Sequence, residues 1–336
     1  MATDVLAELQ AKARTAPQRV VFPEANEETI FRAARRLLDE GLAFPVLLGA
    51  PGKLGQFAAS LDLSLDGFEI VDAGMEATRA RLIEEGGHLF PDMSAKGLEK
   101  RLRSPLNLGA FLVAADKADA LVAGIRHTTQ DVILAALTFV GMQEGISIPS
   151  SMMLMRVPGY EGPEDNLVVF ADCGVAVAPD AGELADIAIA TAQSVRVLLG
   201  WEPRVAVLSF STKGSGDHES VGRVVEAVRL VRARDPQLLV DGELQLDAAS
   251  VPEVAARKVP GESAVAGRAN ILIFPDLNAG NIACKAVQRF AKADAFGPFL
   301  QGFARTVSDL SRGASVTDVV CASVMACVHA QGRKAR

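Results

Sequence analysis

Short apolar runs alternate with helical periods along this chain, and that alternation constrains its fold more than any other feature. Runs of strand length, bounded by turn residues, fall at 19–22, 44–48, 68–71, 120–123, 166–170, 205–210, 238–240 and 270–274. Between them lie helical patterns. Leu184, Ile187, Ala188, Thr191, Val195 and Leu198 hold the i, i+3, i+4, i+7 spacing of one buried face, with Thr191 its only polar member. Val221, Val224, Ala227 and Val228 repeat the pattern more briefly. Strand, helix and strand in alternation predict an α/β chain of αβα domains with largely parallel sheets.

The length, 336 residues, suffices for two domains with proper cores. Turn residues at 145–151 and the pair Gly297–Pro298 are the boundary signals. They predict domain I over 1–149 plus 299–336, with the chain returning at its C-terminus, and domain II over 150–298. A cleft between the two is the expected substrate site. Near the start, Val5, Leu6 and Leu9 line one face of a short helix expected to pack on its own domain.

Composition excludes several classes. Apolar residues make up 49% of the chain and are mostly Ala, Val, Leu and Ile, which suits helices packed on parallel strands. A formal net charge of −7 argues against a general nucleic-acid binder but leaves room for a local cationic pocket. Cys173, Cys284, Cys321 and Cys327 form neither a CxxC pair nor a Cys/His run of metal spacing, so no metal and no disulfide is expected. With no secretory pattern and no long apolar stretch, the expectation is a cytoplasmic protein without a membrane span.

Polar and glycine-rich clusters follow the predicted strands, where open α/β sheets bind ligands. Pro23-Glu24-Ala25 follows the first. Arg126, His127, Thr128 and Thr129 follow the strand at 120–123. Ser211, Thr212, Lys213 and Gly214 follow that at 205–210, and Asp276 and Asn281 follow that at 270–274. The Ser211–Gly216 loop offers hydroxyls, a lysine and backbone N–H groups to an anion, or is a plain turn. It is not a Walker A loop, and no GxGxxG opens a first βαβ unit. Ser311 and Arg312 have the chemistry to bind phosphate or carboxylate. Ser315-Val316-Thr317-Asp318 reads as a capping box for the last helix, a role compatible with a chemical one for Asp318.

Taken together, VVFPEA from Val20, GIRHTT, FADCGVAVAPDAGELADIAIATA, VAVLSFSTKGSG, DGELQLDAA, VAGRANILIFPDLNAGNI and GPFLQGFARTVSDLSRGAS resemble the phosphate acetyltransferase (phosphotransacetylase) family. Their order spans nearly the whole chain, and the length resembles the compact form of ethanolamine utilisation. The resemblance implies two α/β domains and a homodimer. It implies the reaction acetyl-CoA plus phosphate to acetyl phosphate plus CoA, with coenzyme A as substrate and no tightly bound cofactor. It places Ser311 and Arg312 at the acyl phosphate and makes Asp318 the base for the CoA thiol, which at its ordinary pKa of roughly 8.5 is mostly protonated at neutral pH. Arg126, His127, Thr128, Thr129, Ser211, Thr212, Lys213, Gly214, Asn281 and Cys284 are the implied substrate-binding set.

Three departures bear on CoA and the acyl group. Leu134 stands where the family carries an arginine tied to CoA, Cys284 where it has a tyrosine, and residues 88–92 replace a basic stretch. Arg126 either restores some lost positive charge or faces solvent. Cys284 reads as a small apolar residue rather than a nucleophile. Two alternatives follow from these departures: a non-catalytic relative that binds acyl-CoA or acyl phosphate, and an acyltransferase for a different acyl chain.

Overall fold

The computed structural model describes residues 5–334. In chain order the elements are α1 (Val5–Thr15), β1 (Gln18–Phe22), α2 (Glu28–Asp39), β2 (Ala43–Leu48), α3 (Pro51–Ser60), β3 (Glu69–Val71), α4 (Glu76–Gly86), α5 (Ala95–Arg101), α6 (Pro105–Ala114), β4 (Ala120–Ala123), α7 (Thr129–Phe139), β5 (Ser150–Arg156), β6 (Leu167–Ala171), α8 (Ala181–Leu198), β7 (Arg204–Leu208), α9 (Glu219–Arg234), β8 (Leu239–Leu244), α10 (Leu246–Ser250), α11 (Pro252–Lys258), β9 (Ile271–Ile273), α12 (Leu277–Phe290), β10 (Asp294–Gln301), β11 (Thr306–Asp309) and α13 (Val316–Lys334). The chain forms two compact units, one from residues up to 141 together with 303 onward, the other from 142–302.

The discontinuous unit holds a five-stranded, wholly parallel sheet of order β11-β4-β1-β2-β3. α13, α2 and α1 pack together on the sheet through α13's contacts with β11, β1 and β4, and a second set, α6 and α7, packs against β1, β4 and β11. Covered strands are apolar throughout: β4, ALVA, is buried at all four positions. α1 docks on α13 with Val5, Leu9 and Ala13 buried, while Leu6 stays half-buried. The continuous unit holds a mixed sheet of order β10-β5-β6-β9-β7-β8, in which β10, β5 and β6 pair antiparallel and the rest parallel. α8 is its central helix. All six residues of the expected face are buried, and so are Ala185, Ala192 and Ser194 beside them.

Three strands escape the apolar-run criterion. β5 begins inside the segment 145–151 that read as a turn-rich boundary. β10 contains Gly297–Pro298, accommodated by a register irregularity between Phe296 and Phe299. β11, TVSD, is buried at all four positions but carries three polar side chains.

In the parallel sheet, β1 and β4 are neighbours although five α-helices and two strands intervene in sequence. Helices leave the two strands in opposite directions across the sheet, which opens a crevice at their carboxyl ends. Gly124 sits there with φ +132°, and a Cβ at this position would lie 2.4 Å from the Leu310 carbonyl oxygen and 2.5 Å from Asp309 Oδ1. Gly124→Ala is therefore expected to destabilise the protein by about 3 kcal/mol or more. Urea unfolding of the variant against the parent checks this, and an unchanged midpoint would contradict the contact.

Candidate active site

Glu24 follows β1 directly and is 3% exposed. Its Oε2 accepts from the backbone N–H of Gly124 and Ile125, each at 3.0 Å. Its Oε1 accepts from Arg126 N at 2.8 Å, His127 N at 3.0 Å and His127 Nδ1 at 2.8 Å. A run of N–H groups leaving a strand forms an anion nest; here the protein fills it with its own carboxylate, fixing the loop after β4.

The loop leads straight into α7. Thr128 caps it in a capping box with Asp131: Asp131 N donates to Thr128 Oγ1 at 3.2 Å, and Thr128 N donates to Asp131 Oδ2 at 2.9 Å. Hydrogen bonds from the Thr128 hydroxyl and N–H hold the Asp131 carboxyl below the usual carboxylate range. Thr129 donates its hydroxyl to Asp309 Oδ2 on β11. Arg126 pairs with Glu27 while its side chain stays largely exposed. The hydroxyls of Thr128 and Thr129 are thus engaged inside the protein, and the charge of Arg126 is partly answered.

β11 lies parallel to β4 with Asp309 opposite Ala123, and Leu310 N donates to the Ala123 carbonyl at 2.8 Å. This pairing brings the segment 311–318 to the same sheet end as 124–129. Ser311 and Arg312 are exposed, and none of the described residues forms an ion pair with Arg312. Ser315 and Asp318 form the capping box read from the sequence: Asp318 N donates to Ser315 Oγ at 3.2 Å, and Ser315 N donates to Asp318 Oδ2 at 2.9 Å. Asp318 remains exposed, in the first turn of α13. One sheet end thus gathers His127, Ser311, Arg312 and Asp318 beside the N-termini of α7 and α13, whose dipoles favour anions.

The remaining residues of the expected set belong to the continuous unit. The loop after β7 is wrapped around a second buried carboxylate, Glu243. Ser211 Oγ and Gly214 N donate to its Oε1 at 2.9 and 2.6 Å. Thr212 Oγ1 accepts from Gln245 N at 2.9 Å. Lys213 Nζ pairs with Asp241; burial raises that carboxyl, but the Lys213 and Ser263 hydrogen bonds outweigh it and leave it lowered. The anion expected in this loop is therefore supplied by Glu243, which the strand-end string DGEL carried in plain view. Asp172 does the same after β6, accepting from Gly174, Val175 and Ala176 N. Asn281 Nδ2 donates to the Cys173 carbonyl at 3.0 Å. Cys284 is 2% exposed, in core contact with Met155, and hydrogen bonding to it together with burial raises Cys173 above the usual thiol range. A cavity of ≈ 360 Å³, with Ser209, Phe210, Arg223 and Asp276 among its walls, opens where β7 and β9 end.

Among the described residues no group of three or more His, Cys, Asp or Glu is arranged to hold a metal ion, and no helix is long and apolar enough to cross a membrane. A family profile described as phosphate acetyl/butaryl transferase matches residues 4–327, and the chain belongs to that family of acyltransferases. It is 42% identical over 322 residues to the phosphate acetyltransferase of Thermoanaerobacterium thermosaccharolyticum, covering 95% of this chain and 97% of the relative. It is 40% identical to that of Salmonella typhimurium, covering 96% of this chain and 44% of that longer protein. Among solved structures, a phosphotransacetylase from Streptococcus pyogenes superposes with a TM-score of 0.91 at 38% identity, covering 97% of this chain and 98% of that one. The EutD phosphotransacetylase from Staphylococcus aureus gives 0.87 at 35%, with the same coverage.

Asp309 is the strained member of the sheet end. It is 3% exposed, and its Oδ1 is buried with no hydrogen-bond partner. Burial raises its carboxyl to about 6, against the Thr129 and Leu310 hydrogen bonds, and the nearby Glu24 adds to the rise. The unfolded chain therefore releases this proton first as pH rises. The contribution of the neutral carboxyl to stability is intact below about pH 4 and lost as pH passes about 6. Asp309→Asn, neutral throughout, should gain on the parent by at most about 3 kcal/mol between those limits. Urea midpoints of both proteins at acidic and neutral pH measure the difference, and a gap that does not change with pH would refute the assignment.

Proposed function

We propose that the protein catalyses acetyl-CoA + phosphate ⇌ acetyl phosphate + CoA by direct attack of the thiol on the acyl carbonyl. The observation that carries this reading is the grouping of Ser311, Arg312 and Asp318 at one sheet end beside two helix N-termini, with no ion pair to Arg312 from the described residues. Arg312 neutralises the phosphate by paired hydrogen bonds. Ser311 hydrogen-bonds the reacting oxygens. Asp318 accepts the thiol proton through the carboxylate oxygen that the cap does not use, so capping and proton transfer coexist on one side chain. No covalent enzyme intermediate is needed.

An assay of CoA acetylation by acetyl phosphate tests the reaction itself. Asp318→Asn should lower kcat roughly a hundredfold or more. It should shift the melting temperature by less than about 3 °C, because asparagine still accepts at a helix start. Arg312→Gln should raise KM for acetyl phosphate as well as lower kcat. Asp318→Asn with normal turnover would leave it only the cap.

Leu134 bears on the CoA side. It lies on α7 and is 63% exposed, a solvent position for an apolar side chain where the family carries an arginine. A charge-assisted hydrogen bond to phosphate contributes roughly 1.5–3 kcal/mol. Leu134→Arg should therefore lower KM for CoA roughly tenfold or more. An unchanged KM would show that the contact has no counterpart here, and absence of turnover with bound CoA would favour a binding relative over an enzyme.

A further inference from the structure

We propose that His127, oriented by Glu24, is the general acid that protonates the departing phosphate. This rests on the reaction just proposed. Acetyl phosphate is a dianion, and breaking its C–O bond without proton transfer would expel the phosphate trianion, a strong base. The balanced step is acetyl phosphate dianion plus thiol giving thioester plus hydrogen phosphate dianion. The C–S bond forms and the C–O bond breaks. The sulfur proton goes to Asp318, and the bridging oxygen needs a proton of its own. Asp318, an acceptor at that moment, cannot supply it. In the reverse direction the same acid takes the proton from hydrogen phosphate as its oxygen attacks the thioester.

The geometry favours His127 for three reasons. Four backbone N–H groups converge on the two oxygens of Glu24, two on each, and His127 Nδ1 lies 2.8 Å from Oε1. Oε1 already accepts two N–H bonds, so on this proposal Nδ1 is the side of the contact that carries hydrogen. Second, Nε2 is then the working atom. The side chain is 31% exposed, and none of the described residues hydrogen-bonds Nε2. Third, the loop carrying His127 leaves β4 next to the loop carrying Ser311 and Arg312, tied to it by Leu310 N to Ala123 O and by Thr129 to Asp309. A carboxylate that orients an imidazole and stabilises its protonated form is the arrangement by which a histidine both gives and takes a proton. Besides Glu24, the charged groups at this sheet end are Asp131 on α7, Asp309 on β11, Arg312 just before α13, Asp318 in its first turn, and Arg126, partly answered by Glu27. Glu24 is a positioning residue: on this reading it touches no substrate.

The test is the pH dependence of kcat and KM with acetyl phosphate and CoA, for the parent, His127→Gln and His127→Asn. The expected result is a fall in kcat of roughly a hundredfold or more. KM for acetyl phosphate should change less than about threefold, and the alkaline decline expected of the parent should be absent. Kcat within threefold of the parent, a retained alkaline decline, or a loss confined to KM would each overturn the acid. Glu24→Gln supplies the second readout. The acid form is the imidazolium, which gives its proton from Nε2 and leaves hydrogen on Nδ1. Nitrogen-15 spectra of the parent should therefore show the Nδ1–H tautomer whenever the ring is neutral, and the variant should populate the other tautomer with reduced kcat and unchanged KM. If Glu24→Gln does not fold, the tautomer of the parent alone decides the orientation, and a neutral ring with hydrogen on Nε2 and none on Nδ1 would refute it. A parent that transfers no acetyl group would sink the proposed reaction instead, a result distinct from all of these.

Discussion

Buried carboxylates that accept runs of backbone N–H groups at the carboxyl ends of parallel strands are the constraint on which both units depend. Glu24 takes four consecutive N–H groups after β4, Asp172 three after β6, and Glu243 binds the loop after β7. A parallel strand must be followed by a chain reversal, and the N–H groups of that reversal cannot join the sheet. Leaving them buried and unpaired costs about 1–3 kcal/mol each. A side chain from the neighbouring strand end (Glu24, Glu243) or from the same strand end (Asp172) satisfies them together and fixes the loop where open α/β sheets present ligand groups.

At the β1/β4/β11 end, this internal anion sets which groups are left for the proposed chemistry. The loop is held without using Arg312 or the outer oxygen of Asp318, so those groups stay available to a substrate. The cost falls on Asp309, a carboxylate buried near Glu24 with one oxygen unpaired. Gly124 is the backbone counterpart, since no side chain fits between the two loops. Strain and pre-organisation thus meet at one place, as functional sites often require.

Most of the fold was legible in the sequence because parallel strands covered on both faces are apolar throughout, and β1, β2, β4, β6, β7 and β9 announce themselves. The exceptions have physical causes. β11 is buried yet carries Thr306, Ser308 and Asp309: Thr306 meets His329 of α13 and Asp309 accepts from Thr129, while Ser308 Oγ is buried without a partner. β10 hides behind Gly297–Pro298, since an irregular edge strand tolerates what a central one does not. The capping role of Asp318 was readable from Ser315 three residues before it. What sequence could not show is that the Ser211–Gly214 loop spends its donors on Glu243. Nor could it show that Glu24, a charged residue between buried neighbours in VVFPEA, organises the loop a hundred positions away. Local spacing carries no information about such long-range pairing.

The central claim is a direct transfer between phosphate and thiol at this sheet end, with no acetylated protein between them. Exchange of radiolabelled phosphate into acetyl phosphate measures it most directly. Direct displacement predicts exchange only when CoA is present, because phosphate can re-enter only from acetyl-CoA. Exchange at a comparable rate in the complete absence of CoA would demand a covalent acetyl-enzyme and contradict the account.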